Sequence, residues 1–231
     1  MIKAGKTYFW LFLYGIAMGA LEAVVVVYLR QIYYPLGFEF PLKAMDPRMV
    51  SIEILREAAT LLMLVSIGAI AGRTRLEKFV FFLFSFGVWD VFYYAGLKLL
   101  LGWPASFLTW DILFLIPITW AGPVLAPMIS SLTMMGLSFC LNEVEKKGGR
   151  VRGREWAAIF AGAAMIFSAF VWDFAGLMLK GRLPESAATY VPMAFQWPLY
   201  LCGEIVIIGA MVFIWKRSLS SGSSRTGPRR I

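Results

Sequence analysis

The chain has 231 residues, 60% of them hydrophobic, and its mean hydropathy is +0.72. Soluble domains are about 45–50% apolar, so this composition excludes an ordinary soluble protein and predicts a membrane protein. The net charge of +8 does not predict a nucleic-acid partner, because the basic residues are confined to the segments between the apolar runs.

The complete absence of histidine narrows the chemistry that this chain can perform. It excludes bis-histidine haem, the usual zinc hydrolase sites, and catalysis by Ser-His or Cys-His pairs. The two cysteines, Cys140 and Cys202, lie inside apolar runs and do not have the spacing of metal ligands. We expect no cofactor, and the sequence assigns neither catalytic residues nor metal ligands.

Apolar runs of about 20 residues recur along the chain, and each is long enough to cross a bilayer as a helix. They predict an all-α fold, a polytopic membrane helical bundle with six transmembrane helices that contact the lipid bilayer. The predicted spans are 8–29, 50–72, 79–101, 124–141, 156–179 and 192–215. They form a single domain over residues 1–215, and the basic, Ser- and Gly-rich residues 216–231 are predicted to be a disordered tail.

The first span carries a face of small residues. Gly15, Gly19 and Ala23 recur at four-residue spacing, which favours close packing against another helix. Glu22 lies beside this face. A carboxylate in that position either bonds to a neighbouring helix or belongs to a binding site, and the sequence leaves both alternatives open.

Polar residues open the second span. Glu53, Arg56 and Glu57 are three and four residues apart, so they share one side of a helix and can form ion pairs. One interpretation is an ion cluster that fixes the end of the helix. The other is a clamp in which Arg56 holds an anionic group or positions the two carboxylates.

The third span and the segment after it contain two Trp-Asp pairs, at Asp90 and Asp111. Tyr94 follows Asp90 by four residues, so its hydroxyl is expected to bond to that carboxylate. Residues 105–116 are apolar but too short to cross the membrane, and Pro117 follows them. We therefore predict a re-entrant or interfacial half-helix at about 105–116.

The last two spans each place one carboxylate in apolar surroundings. Asp173 follows Trp172 in span five, and the two spans with Trp-Asp pairs share a short Ala-Gly-Leu sequence after the pair, a weak indication of an internal repeat. Glu204 lies near the middle of span six. A charge at the centre of a bilayer costs at least ~2.5–3.5 kcal/mol, so both side chains should face the protein interior or water.

The distribution of Lys and Arg predicts the orientation. Most of these 22 residues fall on one side if both termini are cytoplasmic, as the positive-inside rule requires. A seventh span at 105–116 would place the basic segment 142–154 on the wrong side. We therefore expect a multi-pass protein of the inner (cytoplasmic) membrane with both termini in the cytoplasm.

Helical geometry places most of the polar side chains at similar heights in the outer half of the membrane. The candidate substrate-binding residues are Glu22, Glu53, Arg56, Glu57, Asp90, Tyr94, Asp111, Asp173 and Glu204. Because the carboxylates outnumber the single Arg among them, the leading hypothesis is an outward-facing acidic and aromatic cavity that binds or transports a small cationic or polar solute. The alternatives are an intramembrane carboxylate-dependent enzyme acting on a lipid or peptide, and a structural subunit with a membrane-protein partner.

Overall fold

The computed structural model describes residues 2–43, 45–181 and 190–223, and it confirms the predicted bundle of six long helices. The helices are α1 (Ile2–Tyr33), α2 (Pro47–Ala71), α3 (Arg75–Leu101), α4 (Leu125–Lys146), α5 (Gly153–Leu179) and α6 (Trp197–Ser223). All six are long and apolar enough to cross a membrane. The architecture is therefore compatible with a multi-pass integral membrane protein.

Local capping residues explain where the helices begin and end. The Asp46 carboxylate accepts a bond from the backbone N–H two residues later, at 2.7 Å, and Pro47 occupies the first turn of α2. The Thr74 hydroxyl accepts a bond from the backbone N–H of Glu77 at 3.0 Å and so begins α3. Gly102 ends α3 in the left-handed conformation, with φ of 67°.

Helix α3 is the centre of the bundle, because α1, α2 and α4 all pack against it. The small-residue face of α1 forms one of these contacts, as predicted. A Cβ atom placed on Gly19 would lie 2.6 Å from the backbone oxygen of Trp89, so the two helices approach too closely for any side chain there. Helices α5 and α6 form a second close pair, in which Gly162 faces Gly203.

The prediction of a half-helix at about 105–116 is wrong. This region forms an antiparallel hairpin of β1 (Trp110–Phe114) and β2 (Trp120–Pro123), which packs against α4 and α5. The Pro117 ring removes a backbone donor where a helix would need one, and the five-residue connection turns the chain back instead. A Cβ atom on Gly122 would contact the Phe195 and Phe170 rings at 3.0–3.1 Å, so glycine lets β2 approach these aromatic side chains.

The helices extend beyond the predicted apolar spans at several ends. Helix α1 continues to Tyr33 and α4 to Lys146, because polar residues at a helix end are solvated without breaking the helix. Helix α6 begins at Trp197 and runs to Ser223, so the first part of the predicted disordered tail is helical. The rest of that predicted tail, 224–231, lies outside the described residues.

Charge divides the bundle into two ends. One end of the bundle contains the last residues of α2, α4 and α6 and the first residues of α3 and α5. We call it the basic end. Its basic residues are Arg73, Arg75, Lys78, Lys146, Lys147, Arg150, Arg152, Arg154, Lys216 and Arg217. Its acidic residues are fewer: Glu77, Glu143, Glu145 and Glu155. The hairpin and the 34–43 segment after α1 lie at the opposite end.

Candidate functional site

A cavity of about 180 Å³ lies between α1, α2, α3, β1, the 34–43 segment and Met45. We call it the acidic cavity because its walls include the carboxylates of Glu22, Glu53, Glu57, Asp90 and Asp111. Its volume resembles that of an internal cavity able to hold a molecule the size of benzene, or about six waters at liquid density. A small solute therefore fits.

Each helix contributes one face to this cavity. On α1 the lining residues Glu22, Val26 and Arg30 are four residues apart, which places them on one side of the helix. Residues 53, 56, 57 and 60 do the same on α2, and residues 89, 90, 93 and 94 on α3. Three aligned helix faces therefore bring side chains together that are distant in the sequence.

The α2 cluster is an ion network that reaches α1. The Arg56 Nε donates to Glu53 Oε2 at 2.8 Å, and the same guanidinium forms an ion pair with Glu22. The Thr60 hydroxyl donates to the second oxygen of Glu22 at 3.2 Å. Arg56 therefore neutralises two of the carboxylates that line the cavity and joins α1 to α2.

A second arginine, Arg30, holds the hairpin in place. Its Nη2 donates to Asp111 Oδ1 at 3.0 Å, and the Tyr94 hydroxyl donates to Asp111 Oδ2 at 3.2 Å. The Arg30 guanidinium also lies 3.6 Å from the centre of the Trp103 ring and 4.6 Å from that of Phe38. Burial raises the pKa of the Asp111 carboxyl above its ordinary value, and the positive charge of Arg30 opposes this rise.

Two sequence predictions about these residues need correction. Tyr94 was expected to bond to Asp90, but α3 directs its hydroxyl to Asp111 on the hairpin. Arg30 was not among the predicted site residues, although it is buried beside the cavity. Glu22 and Arg30 are eight residues apart, a spacing that places both on one face of a helix. The predicted first span ended at residue 29, so this spacing could be recognised only with a longer helix.

Glu57 and Asp90 differ from the other lining carboxylates because their hydrogen-bond partners are neutral. Glu57 Oε2 accepts a bond from the backbone N–H of Leu115 at 2.8 Å. Asp90 Oδ2 accepts a bond from the Ser131 hydroxyl at 2.7 Å. Among the described residues, neither carboxylate forms an ion pair. Both are buried, so the described part of the cavity contains two acidic groups without a direct ion pair, although the charge of Arg56 acts on Glu57 from a greater distance.

Glu57 also explains how a hairpin is tolerated inside a helical bundle. Backbone groups outside helices survive at membrane depth only where protein or water satisfies them. The carboxylate of Glu57 supplies the acceptor for the turn after β1, and backbone bonds from Val124 to Thr109 and from Leu125 to Phe107 tie the hairpin to its flanks. This one side chain therefore serves both the fold and the cavity.

The remaining predicted site residues lie elsewhere. Glu204 is buried and accepts bonds from Ser130, Thr133 and Tyr200 at 2.8, 2.7 and 2.9 Å. Asp173 accepts a bond from the Tyr190 hydroxyl. Neither residue lines the acidic cavity.

Seven of the nine predicted site residues meet at the cavity: Glu22, Glu53, Arg56, Glu57, Asp90, Tyr94 and Asp111. The structure does not bring Asp90 and Asp173 into a shared hydrogen bond, which is the arrangement that an aspartyl acid–base pair needs. Among the described residues, no group of three or more acidic or Cys side chains is placed to hold a metal ion. The predictions of an enzyme and of a structural subunit stay predictions.

Aromatic side chains also line the cavity. Trp89, Tyr93 and Phe114 line the cavity from α3 and β1, and Tyr34 and Phe38 line it from the connection after α1.

The chain was also compared with known proteins. No family model, no curated protein and no solved structure matches it.

Proposed function

We propose that the acidic cavity binds a small solute carrying a cationic amine. The observation that carries the proposal is the pair Glu57 and Asp90, two buried carboxylates that line the cavity, accept hydrogen bonds from neutral donors and form no direct ion pair among the described residues. A buried carboxylate without a direct ion-pair partner is costly. A ligand cation that ion-pairs with these groups lowers that cost.

The aromatic walls favour the same ligand class. The faces of Trp, Tyr and Phe rings attract cations when these lie within about 6 Å of the ring centre. Trp89 and Tyr93 stand beside Asp90 on the cavity face of α3. An alkylammonium group therefore meets both a carboxylate and an aromatic ring.

The cavity also contains cations that limit how much positive charge it accepts. Arg30 and Arg56 neutralise Asp111, Glu22 and Glu53. Lys43 reaches the rim from an exposed position. We therefore expect a monoamine or a small diamine rather than a polycation.

The proposal also covers the orientation of the protein in the membrane and the transport of the bound solute. Placing the basic end in the cytoplasm satisfies the positive-inside rule and makes the acidic cavity open outward in the inner membrane. Sites that combine irregular backbone with buried charge, as this cavity does, are typical of transporters. We propose uptake of the bound amine as the role of the cavity.

The test is calorimetric titration of the purified protein in detergent with propylammonium, and with n-butanol as a neutral control of similar size. We expect propylammonium to bind and to raise the unfolding temperature, and butanol to do neither. Asp90→Asn and Glu57→Gln should each weaken binding by roughly 10- to 100-fold, because each removes a charge-assisted contact. Asp173→Asn is the matched control, since this residue lies outside the cavity, and it should bind like the wild type.

Equal binding of the amine and the alcohol would refute the proposal, and so would wild-type affinity in both cavity variants. Proteoliposomes separate binding from transport. Accumulation of radiolabelled propylammonium that is lost in Asp90→Asn supports uptake. Binding without accumulation would leave the cavity as a receptor site and refute the transport role.

A further inference from the structure

A second concave surface lies at the basic end of the bundle, between the start of α3, the connection 147–152 and the start of α5. Its volume is about 570 Å³, and we call it the basic groove. Arg75 and Arg150 stand on its walls, and Leu76, Phe79, Val151 and Trp156 form its apolar part. The basic groove lies far from the acidic cavity, because the two are at opposite ends of the helices.

The two arginines of the groove are not neutralised by the protein. Both are exposed, and among the described residues neither forms an ion pair. The nearby acids are engaged elsewhere: Glu155 pairs with Arg217 at 2.8 Å, and Glu143 pairs with Lys146 at 2.5 Å. The groove therefore keeps two guanidinium groups available for an anion.

One carboxylate does line the groove. Glu145 Oε1 accepts a bond from the Thr74 hydroxyl at 2.5 Å, which holds that carboxylate toward the start of α3. It lowers the net positive charge of the groove without cancelling it, because two arginines face one acid. The wider surroundings reinforce the positive sign, since basic residues outnumber acidic ones throughout this end of the bundle.

The apolar part of the groove continues into the membrane-facing surface. Phe79 and Trp156 contact each other edge to face, with ring centres 5.5 Å apart, and Trp156 stacks on Phe160 one turn further along α5. Phe160 is exposed. A Trp at the end of an apolar helix is typical of the depth at which lipid headgroups meet acyl chains. The groove therefore offers cationic and apolar contacts to one elongated amphiphile.

We propose that the basic groove binds an anionic phospholipid, with its phosphate on Arg75 and Arg150 and the beginning of an acyl chain on Phe79 and Trp156. Arginine suits this role because its planar guanidinium forms paired hydrogen bonds to phosphate oxygens. Basic pockets between membrane helices are a recognised means of holding such headgroups. A lipid bound here would add a second link between α3 and α5 beside the contact of Phe79 with Trp156.

Native mass spectrometry of the full chain in detergent tests this proposal, with phosphatidylglycerol and phosphatidylcholine of identical acyl chains as the two probes. We expect the wild type to bind phosphatidylglycerol more tightly. Arg75→Gln/Arg150→Gln should weaken phosphatidylglycerol binding by roughly tenfold or more, because each basic residue near an anionic lipid contributes to its affinity. Arg48→Gln/Lys180→Gln is the matched control, because it removes two exposed positive charges from the opposite end, and it should leave binding unchanged.

Competition experiments distinguish a lipid from a free anion. Inorganic phosphate and glycerophosphoglycerol share the charge of the lipid but have no acyl chain, so we expect neither to displace phosphatidylglycerol at matched concentrations. Displacement by either would overturn the lipid assignment in favour of a soluble anion. Equal binding of the two lipids by the wild type would overturn the proposal even if the arginine variants failed to fold. An equal loss in both double variants would show a general charge effect and refute the groove as the site.

Discussion

The ion pair between Arg30 and Asp111 is the contact that joins α1 to the hairpin, and it makes a quantitative prediction. The two side chains are 9% and 3% exposed, and their nitrogen and oxygen atoms are 3.0 Å apart. Asp111→Asn keeps the shape of the side chain but removes its negative charge. The Arg30 guanidinium then remains buried without a countercharge.

The expected loss of unfolding free energy follows from this burial. Removing one partner of a buried ion pair costs about 3–5 kcal/mol. The guanidinium keeps its contacts with the Trp103 and Phe38 rings at 3.6 and 4.6 Å, and such contacts are worth about 0.5–2 kcal/mol each. Because these rings continue to stabilise the lone cation, we expect a loss of unfolding free energy near the lower end of the range, about 3 kcal/mol.

The assay is reversible unfolding in mixed detergent and dodecyl sulfate micelles, followed by tryptophan fluorescence. Glu39→Gln changes an exposed carboxylate and should alter the free energy of unfolding by less than about 0.5 kcal/mol. Arg30→Met/Asp111→Asn removes both charges and should be more stable than Asp111→Asn alone by about 1–3 kcal/mol. A cost below about 0.5 kcal/mol for Asp111→Asn, or a double variant less stable than the single one, would refute this reasoning.

Two further predictions concern contacts between helices. Gly19→Leu should lower the free energy of unfolding by at least ~1–3 kcal/mol, because the new side chain collides with the Trp89 backbone; in the same unfolding assay Gly209→Leu, which meets no atom within 4 Å, should be close to neutral. Glu204→Leu should cost about 1–3 kcal/mol by leaving the Thr133 hydroxyl without its acceptor. The same variant should bind propylammonium like the wild type in calorimetry, and a loss of binding would contradict the separation of Glu204 from the cavity.

The helical bundle was predictable because each transmembrane helix corresponds to a long apolar run in the sequence. A run of about 20 apolar residues has few alternatives to a transmembrane helix. The spacing of Gly15, Gly19 and Ala23 likewise predicted a close helix contact, which α1 makes with α3. Helix ends were less predictable, because α1 and α4 continue through polar residues that hydropathy assigns to loops.

The hairpin could not be predicted from the same signals. Short apolar segments do not distinguish a strand from a helix by periodicity. General membrane rules also argue against strands, since an open sheet edge in lipid leaves backbone groups unsatisfied. This hairpin exists because tertiary partners cover it, Glu57 at its turn and the Phe170 and Phe195 rings at Gly122. None of these partners is near the hairpin in the sequence.

The Trp-Asp pairs on α3 and α5 show why the site was predicted only in part. Sequence positions give the height of a residue along its helix, but they do not give the direction in which it points. Trp89 is 4% exposed and Asp90 lines the cavity, whereas Trp172 is 53% exposed and Asp173 bonds to Tyr190. The same dipeptide therefore has different surroundings on α3 and α5, because α3 is enclosed by three helices and α5 has exposed sides.

The surplus of carboxylates that motivated a cationic ligand is smaller in the structure than in the sequence. Arg30 joins Arg56 at the cavity, and together they neutralise all but two of the lining carboxylates. Glu204 is satisfied by hydroxyl groups in a separate part of the bundle. What remains is Glu57 and Asp90, on adjacent helices that face one cavity. The electrostatic reason for a cation is therefore confined to these two groups, and it limits the ligand to one or two positive charges.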